Sequence, residues 1–422
     1  METISSFFGF GNTTSFADMC HLIGAFGNCC VIETDEGLVV FDIAQEQFGQ
    51  LVFDQLRSLT DRPIKYLIYS HGHFDHCFGF SPFVEELKKN GWEMPQIIAQ
   101  ENILNRWEKY RMLEGYHRWL NRQQFASVIG NDSSFRLSAR ETLDPTIIVH
   151  EEYSFELGGW TFELFHDKGE TDDALWLWFP GKKVIFSGDL IISGFPNIGN
   201  PYKVQRYPKH WALAMERMLA KNAEYLAPGH GPLIESKDKV NDVLSITAEA
   251  MHFVHDEVVK RMNQGKWFEQ IYNEMLEIYP DRFKDHEYLK PIYGCYPFAI
   301  HAVYRLYHGW YDKGNPTDLF PAESDIIARE FLKISSAEAY FEHAKKLFSQ
   351  GNLQLALHII DPVIKGLDLK RAEILLEAIK LKISILEKQV KDESSFITSN
   401  ILTNEVIRLN ARISDIKENL DS

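Results

Sequence analysis

The chain has 422 residues, too many for one ordinary hydrophobic core, and 45% hydrophobic with 25% charged residues describes a globular protein of two or three units. A formal net charge of −16 without any dense Lys/Arg block argues against a nucleic-acid partner. The five cysteines are odd in number and lack C-x-x-C spacing, which excludes a disulfide framework or a zinc ribbon and predicts reduced thiols.

The opening METISSFFGFGNTTSFADMC has no basic n-region and no unbroken apolar stretch, and nowhere do about 18 apolar residues run together. No membrane span is expected, and the reading is a cytoplasmic protein; a chain trimmed of its leader would look the same. Residues 29–33 (CCVIE) and 38–42 (LVVFD) flank the turn Thr34-Asp35-Glu36-Gly37 and predict a β-hairpin. Asp42 ends its second strand, either bracing a loop there or solvated. Residues 47–59 carry helical periodicity, and 65–69 (KYLIY) read as a short buried strand. Ser81-Pro82 predicts a helix with Ser81 as its cap and Gly91 as its stop, and 97–99 is a further strand.

A helical insertion follows at about 101–140, rich in Arg and aromatics, before strand patterns resume at 146–150, 153–157, 160–165, 174–179 and 183–187. Everything to about 237 therefore reads as mixed α/β, and from 238 the texture is almost continuous helix. Segments 337–349, 353–360 and 369–388 carry apolar residues at three- and four-residue spacing, with breaks at Gly351-Asn352, Pro362 and Gly366. The first two resemble a tetratricopeptide-like hairpin without a second copy, and a last helix covers about 399–416. An assembly domain and a helical cap on the same core both fit this pattern.

The strongest chemical signal is His71-Gly72-His73-Phe74-Asp75-His76, four potential metal ligands in six residues, delivered by the end of the 65–69 strand. Imidazole and carboxylate suit zinc or another borderline divalent ion, and the run can face two ions. Cys77 follows directly and is expected to pack beneath the loop. Further ligands are sought at strand ends beside small residues: Glu170 in Lys168-Gly169-Glu170-Thr171, Asp189 in Ser187-Gly188-Asp189, and His230 in Pro228-Gly229-His230-Gly231.

Together these segments resemble the metallo-β-lactamase superfamily, whose pattern is H-x-H-x-D-H, P-G-H-T, G-D and G-H-G. Glu170 stands where most members have His, which resembles the alkyl sulfatase branch, and Gly309-Trp310-Tyr311-Asp312 with the helices from 337 resembles that branch's dimerisation domain. The resemblance implies an α/β fold, an αββα metallo-β-lactamase sandwich at 1–237 followed by an all-α dimerisation domain at 238–422. It implies two divalent ions, with zinc favoured by four imidazoles and manganese or iron left open by the added carboxylate. His71, His73 and Glu170 would hold one ion, Asp75, His76 and His230 the other, and Asp189 would lie between them, with Asp75 and Asp189 as the catalytic carboxylates. The implied reaction is attack of a metal-bound hydroxide on a small anionic ester.

Asn197, Arg206 and Trp211 match positions after the bridging carboxylate in alkyl sulfatases, whereas their Arg-Gly falls near 201–203, where Lys203 alone carries charge. Asn197, Lys203 and Arg206 are thus the substrate-binding candidates, and Phe80, Trp107, Tyr110, Trp119, Phe195 and Tyr207 could line an apolar pocket. The partners implied are a small-molecule ester and a second copy of the chain. A lactonase, thioesterase or β-lactamase-type hydrolase, or a non-catalytic assembly protein, could share the same fold.

Overall fold

The computed structural model describes residues 11–125 and 141–421. Among these, seven strands form one sheet in chain order: β1 (Thr13–Phe16), β2 (Cys20–Ile23), β3 (Cys29–Thr34), β4 (Gly37–Phe41), β5 (Ile64–Ile68), β6 (Gln96–Gln100) and β7 (Ile147–Val149). The second sheet has six, β8 (Glu152–Leu157), β9 (Trp160–Asp167), β10 (Ala174–Phe179), β11 (Val184–Ile192), β12 (Tyr225–His230) and β13 (Ile234–Glu235), ordered 13-12-11-10-9-8. The predicted hairpin is present as β3 and β4, with Thr34 opposite Gly37.

Side-chain alternation along the strands sets the layering. Val39 and Phe41 of β4 join Ile32, Ile68, Phe162, Leu175, Leu177 and Phe186 in a core between the sheets. Their neighbours Leu38 and Val40 face the opposite way, onto Val52, Leu56, Phe83 and Trp107 from the helices α1 (Gly49–Leu59), α2 (Phe74–Cys77), α3 (Ser81–Asn90) and α4 (Asn102–Met112). Trp176, Ile185 and Leu190 of the second sheet pack outward on helices of their own. The result is the helix-sheet-sheet-helix sandwich that the sequence implied.

Ser81 does not cap α3. It lies inside the first turn, the preceding Phe80 takes the cap position without a side-chain bond, and Gly91 ends the helix in the left-handed conformation at φ 64°. The insertion contributes α4 and α5 (Glu114–Gln124), and its part at 126–140 lies outside the described residues.

The change of texture near 237 does not mark the edge of the first compact unit. That unit comprises 1–118 and 136–312, and the second comprises 119–135 and 313–422. The first unit's later helices are α6 (Pro208–Leu219), α7 (Lys237–Asn263), α8 (Phe268–Glu277), α9 (Asp281–Asp285) and α10 (Tyr296–Tyr307). In α7, Val240, Val243, Leu244, Met251, Val254 and Val258 recur at helical spacing and are buried with Trp176, Ile185 and Met215. Each such fully buried side chain contributes about 1.5–3 kcal/mol, so α7 belongs to the sandwich although its own texture is helical.

The second unit holds α11 (Ser324–Ile334), α12 (Ala337–Ser349), α13 (Leu353–Gly366), α14 (Ala372–Asp392) and α15 (Phe396–Asp421) around Ala344, Ile360, Val363, Ile379, Leu386 and Leu409. Pro362, expected as a break, sits inside α13, where buried Val363 and Ile364 hold the final turn. No described helix is long and apolar enough to cross a membrane.

Candidate metal centre

The H-x-H-x-D-H run follows the end of β5 through a bend at residues 70–72, returns to extended backbone at His73, then winds into α2, which carries Asp75 and His76. That break in backbone geometry turns the two halves of the run toward different points. Asp189 arrives on β11 and His230 at the end of β12, its parallel neighbour. Gly188 lies at φ +51°, and a Cβ there would stand 2.5 Å from that of Ser70. At Gly229 a Cβ would stand 2.1 Å from Asp189 Oδ1, so only glycine lets β12 approach the carboxylate.

Six side chains form two groups whose donor atoms lie within 4.8 Å of one another: His71, His73 and Asp189, and Asp75, His76 and His230. His71 Nε2 and His73 Nδ1 are 2.8 Å apart. Asp189 turns Oδ2 toward His71 Nε2 at 3.6 Å and Oδ1 toward His76 and His230 Nε2 at 3.2 and 3.3 Å. Asp75 Oδ2 lies 3.7 Å from His76 Nε2 and 3.5 Å from His230 Nε2. One carboxylate thus presents one oxygen to each group.

The rings of His71, His76 and His230 are held from behind through Nδ1, which turns their Nε2 atoms toward Asp189. Asp42 Oδ2 lies 2.8 Å from His76 Nδ1 and accepts from the Ser70 hydroxyl at 2.7 Å, while Asp42 Oδ1 accepts from Ser70 N at 2.7 Å. Ser70 Oγ lies 2.9 Å from His71 Nδ1, and His230 Nδ1 donates to Phe26 O at 2.5 Å. Asp42 is therefore a brace rather than a solvated strand end. Asn28 was not singled out by any motif; its Nδ2 donates to Pro228 O at 2.9 Å and Gly231 O at 2.8 Å, shaping the turn around His230.

The residues fit a cation. His76 Nε2 and Asp189 Oδ1 are buried and 3.2 Å apart, yet neither completes a hydrogen bond, so both atoms aim at shared space rather than at each other. Burial, reinforced by His76, lowers the pKa of His71 to about 3, and burial with His71 holds His73 well below the ordinary range. Both imidazoles are neutral at pH 7, the form that binds metal. Burial opposes charge on His76, but Asp189, Asp42 and Asp75 outweigh it and raise its pKa well above the ordinary value. Burial likewise opposes ionisation of Asp189, but His230 and His76 hold its carboxyl well below the usual range. Anionic oxygen and buried imidazole thus meet at one point, and the fold with these His/Asp groups points to divalent metal binding.

Glu170 lies outside both groups. It is close enough to Asp189 to feel its charge, but its carboxylate pairs with Arg206 Nη1 and accepts from Asn197 Nδ2 at 3.2 Å. Arg206 Nη1 also donates to Asn197 O at 2.5 Å. Two of the three substrate-binding candidates are therefore buried partners of Glu170. Burial, opposed by Arg206 and reinforced by Asp189, pushes the Glu170 pKa up to about 7.

Lys203 is half-buried and lines a separate cavity of about 370 Å³ with Asn200, His301, Arg305 and Asp312. Burial, reinforced by Arg206, lowers its pKa to about 8. Trp107 and Phe195 are core residues rather than pocket walls, and Trp119 is half exposed. Trp211, matched to the same stretch, is also buried and donates Nε1–H to Leu190 O at 2.7 Å. Cys77 is buried, with Sγ 3.0 Å from His71 O, and packs under the loop as expected.

Residues 22–230 match the metallo-beta-lactamase superfamily, and residues 268–411 match the alkyl sulfatase dimerisation family. A linear primary-alkylsulfatase of a Pseudomonas species is 26% identical over 72% of this chain and 60% of its own length. The chain thus carries a metallo-beta-lactamase superfamily domain followed by an alkyl sulfatase dimerisation domain, and is similar to the alkyl sulfatase-like branch. Within that branch, an alkyl/aryl-sulfatase of Saccharomyces cerevisiae is 24% identical over 80% of this chain and 55% of its own length. Among solved structures, a stereoselective inverting sec-alkylsulfatase from a Pseudomonas species superposes with a TM-score of 0.81 at 19% identity, covering 94% of this chain and 65% of that one. This alkyl sulfatase-like chain spans 60% or less of the length of the curated relatives it matches.

Proposed function

We propose that this chain is a dinuclear metal-dependent hydrolase that cleaves a small anionic ester, with an alkyl sulfate as the favoured substrate. The observation that carries the reading is Asp189, which offers one oxygen to His71 and the other to His76 and His230. His71 and His73 would hold one ion and Asp75, His76 and His230 the other, with Asp189 joining them. Glu170 would complete the first set from its place beside Asp189. Four imidazoles favour zinc, while the carboxylates leave manganese or iron available. Two such ions supply Lewis acidity and draw the pKa of water from ~15.7 toward ~7.

The chain's own residues supply the rest. Asp42 and the Phe26 carbonyl keep His76 and His230 in the tautomers that direct Nε2 inward. Asp75, whose Oδ2 lies 3.7 Å from His76 Nε2 and 3.5 Å from His230 Nε2, would take a proton from an attacking water. Arg206 and Asn197 order Glu170 by charge-assisted and amide hydrogen bonds to its carboxylate. Hydrolysis adds water across the ester bond and yields an alcohol and hydrogen sulfate. The substrate class draws its support from the curated relatives, whose names are alkylsulfatases.

The test is turnover of a medium-chain alkyl sulfate against a neutral ester of the same chain length after metal reconstitution. Sulfate release with little ester cleavage is expected. Ester cleavage alone would move the substrate to the lactonase or thioesterase class.

We further infer self-association through the helical unit. Ile327, Phe331 and Ile334 of α11 share one face at four- and three-residue spacing, and Ile334 is 84% exposed. The match to a dimerisation family favours a second copy as the occupant of this face. Phe331→Asp is expected to halve the mass measured by light scattering while leaving the far-UV circular dichroism unchanged. A mass equal to wild type would remove α11 from the interface.

A further inference from the structure

Both peptide groups of Gly72, the residue between His71 and His73, are held by side chains from outside the motif. Its N–H donates to Asp173 Oδ2 at 3.0 Å, and its carbonyl accepts from Trp107 Nε1 at 3.2 Å. Asp173 is completely buried, and both its oxygens accept from Arg106 Nε at 3.0 Å. Arg106 also pairs with Asp172, whose carbonyl accepts from Asn102 Nδ2 at 3.2 Å. A Cβ on Gly72 would stand 2.8 Å from Ile103 Cγ1 and 3.0 Å from Arg106 Cδ and Asp173 Oδ2. The insertion helix α4 therefore lies directly on the ligand loop, and only glycine fits beneath it.

The Asp173 carboxylate, ionised and paired with a guanidinium, makes a charge-assisted bond to the backbone amide, roughly twice as strong as a neutral one. Because the Gly72 peptide is gripped at both ends, the positions of the rings on either side of it follow. Metal–ligand distances tolerate only about 0.2 Å, so that control bears directly on affinity. The turn that carries Glu170 also ends in Asp173, which ties two ligand-bearing segments 101 residues apart by a single side chain.

We propose that Asp173, supported by Arg106 and Trp107, is the positioning unit for the His71–His73 half of the metal centre, and that α4 is thereby part of the site. This rests on the dinuclear reading above.

The test uses the full chain loaded with zinc and titrated with a competing chelator. Asp173→Ala should loosen one ion per chain by about 10–100-fold, the range for loss of a group that orients a ligand, and leave the other close to wild type. Asp173→Asn keeps an oxygen for the Gly72 amide and should recover most of that affinity. In a His71→Ala background, which retains the Asp75, His76 and His230 group, adding Asp173→Ala should change the remaining ion's affinity less than threefold. Equal affinity for both ions in Asp173→Ala and wild type would overturn the proposal, as would equal loosening of both. Should Asp173→Ala fail to fold by circular dichroism, Trp107→Phe decides, since it keeps the ring in the core and removes only the bond to Gly72. Wild-type affinity for both ions in that variant would overturn the proposal, and selective loosening of one ion would support it. Wild-type protein that takes up no zinc would instead remove the dinuclear reading itself, before any variant is compared.

Discussion

Asp189→Ala is expected to lower metal content from two ions per chain to one or fewer and to reduce turnover by about 10²–10³-fold or more, the scale of removing an electrostatic participant from a reacting centre. No other carboxylate in the described site faces both groups: Asp75 approaches only His76 and His230, and Glu170 is turned to Arg206 and Asn197. Alanine also leaves His76 with less counter-charge, so a cation at that group loses an anionic ligand while the imidazoles stay in place. Asp189→Asn separates shape from charge, since the amide fills the same space with one oxygen and no negative charge. It is expected to hold at most one ion. Inductively coupled plasma analysis with steady-state assays reads both effects, and unchanged metal content with unchanged turnover would show that Asp189 is no bridge.

Arg206→Ala should destabilise the metal-stripped protein by about 3–5 kcal/mol at pH 8, the cost of leaving one member of a buried pair uncompensated. Glu170 and Arg206 are both buried, and the Asn197 amide that also donates to this carboxylate is neutral. The loss depends on pH in a defined direction. Burial already raises the Glu170 pKa from 4.5 to about 7, so the folded state holds its proton more tightly than the unfolded chain. A group shifted this way favours folding below the unfolded pKa and loses that contribution as pH rises through about 7. Removing the arginine raises the folded pKa further, so the variant should lie nearest to wild type at pH 5 and fall away as the carboxylate is forced to ionise. Arg206→Met combined with Glu170→Gln replaces the pair with neutral groups of similar volume. It should recover most of the stability without recovering turnover. Chemical denaturation at pH 5 and pH 8 checks this, and equal destabilisation at both would detach Glu170 from Arg206.

How far the site could be read from sequence depended on how local its signals are. His71, His73, Asp75 and His76 declared themselves because four ligands fall within six residues, and Asp189 and His230 because each follows a glycine in a strand pattern, where close approach has a reason. Asp42 was legible as a strand-end carboxylate, although a solvated role was equally open. The pairing of Glu170 with Asn197 and Arg206 was not legible, since they lie 27 and 36 residues away from it and no periodicity links such positions. Asp173 and Arg106, 67 residues apart, left no local signal at all.

The fold followed a similar rule. Strand alternation and the 29–42 hairpin were visible because they repeat over a few residues, and so was the two-layered sheet that follows from them. The reach of the first compact unit to Asp312 was not, because an amphipathic helix reads the same whether its apolar stripe packs on a sheet or on other helices. Trp107 and Phe195 illustrate the same ambiguity, since an aromatic at a helix or loop position carries no mark of core or pocket until its neighbours are known.

The measurement that bears most directly on the central claim is metal content per chain for protein purified without chelator, paired with sulfate release from a medium-chain alkyl sulfate before and after chelation. Two ions per chain are expected, with sulfate release that chelation abolishes and metal restores. Sulfate release that persists after both ions are stripped, or a fully folded chain that binds fewer than two ions at saturating metal, would contradict the dinuclear hydrolase.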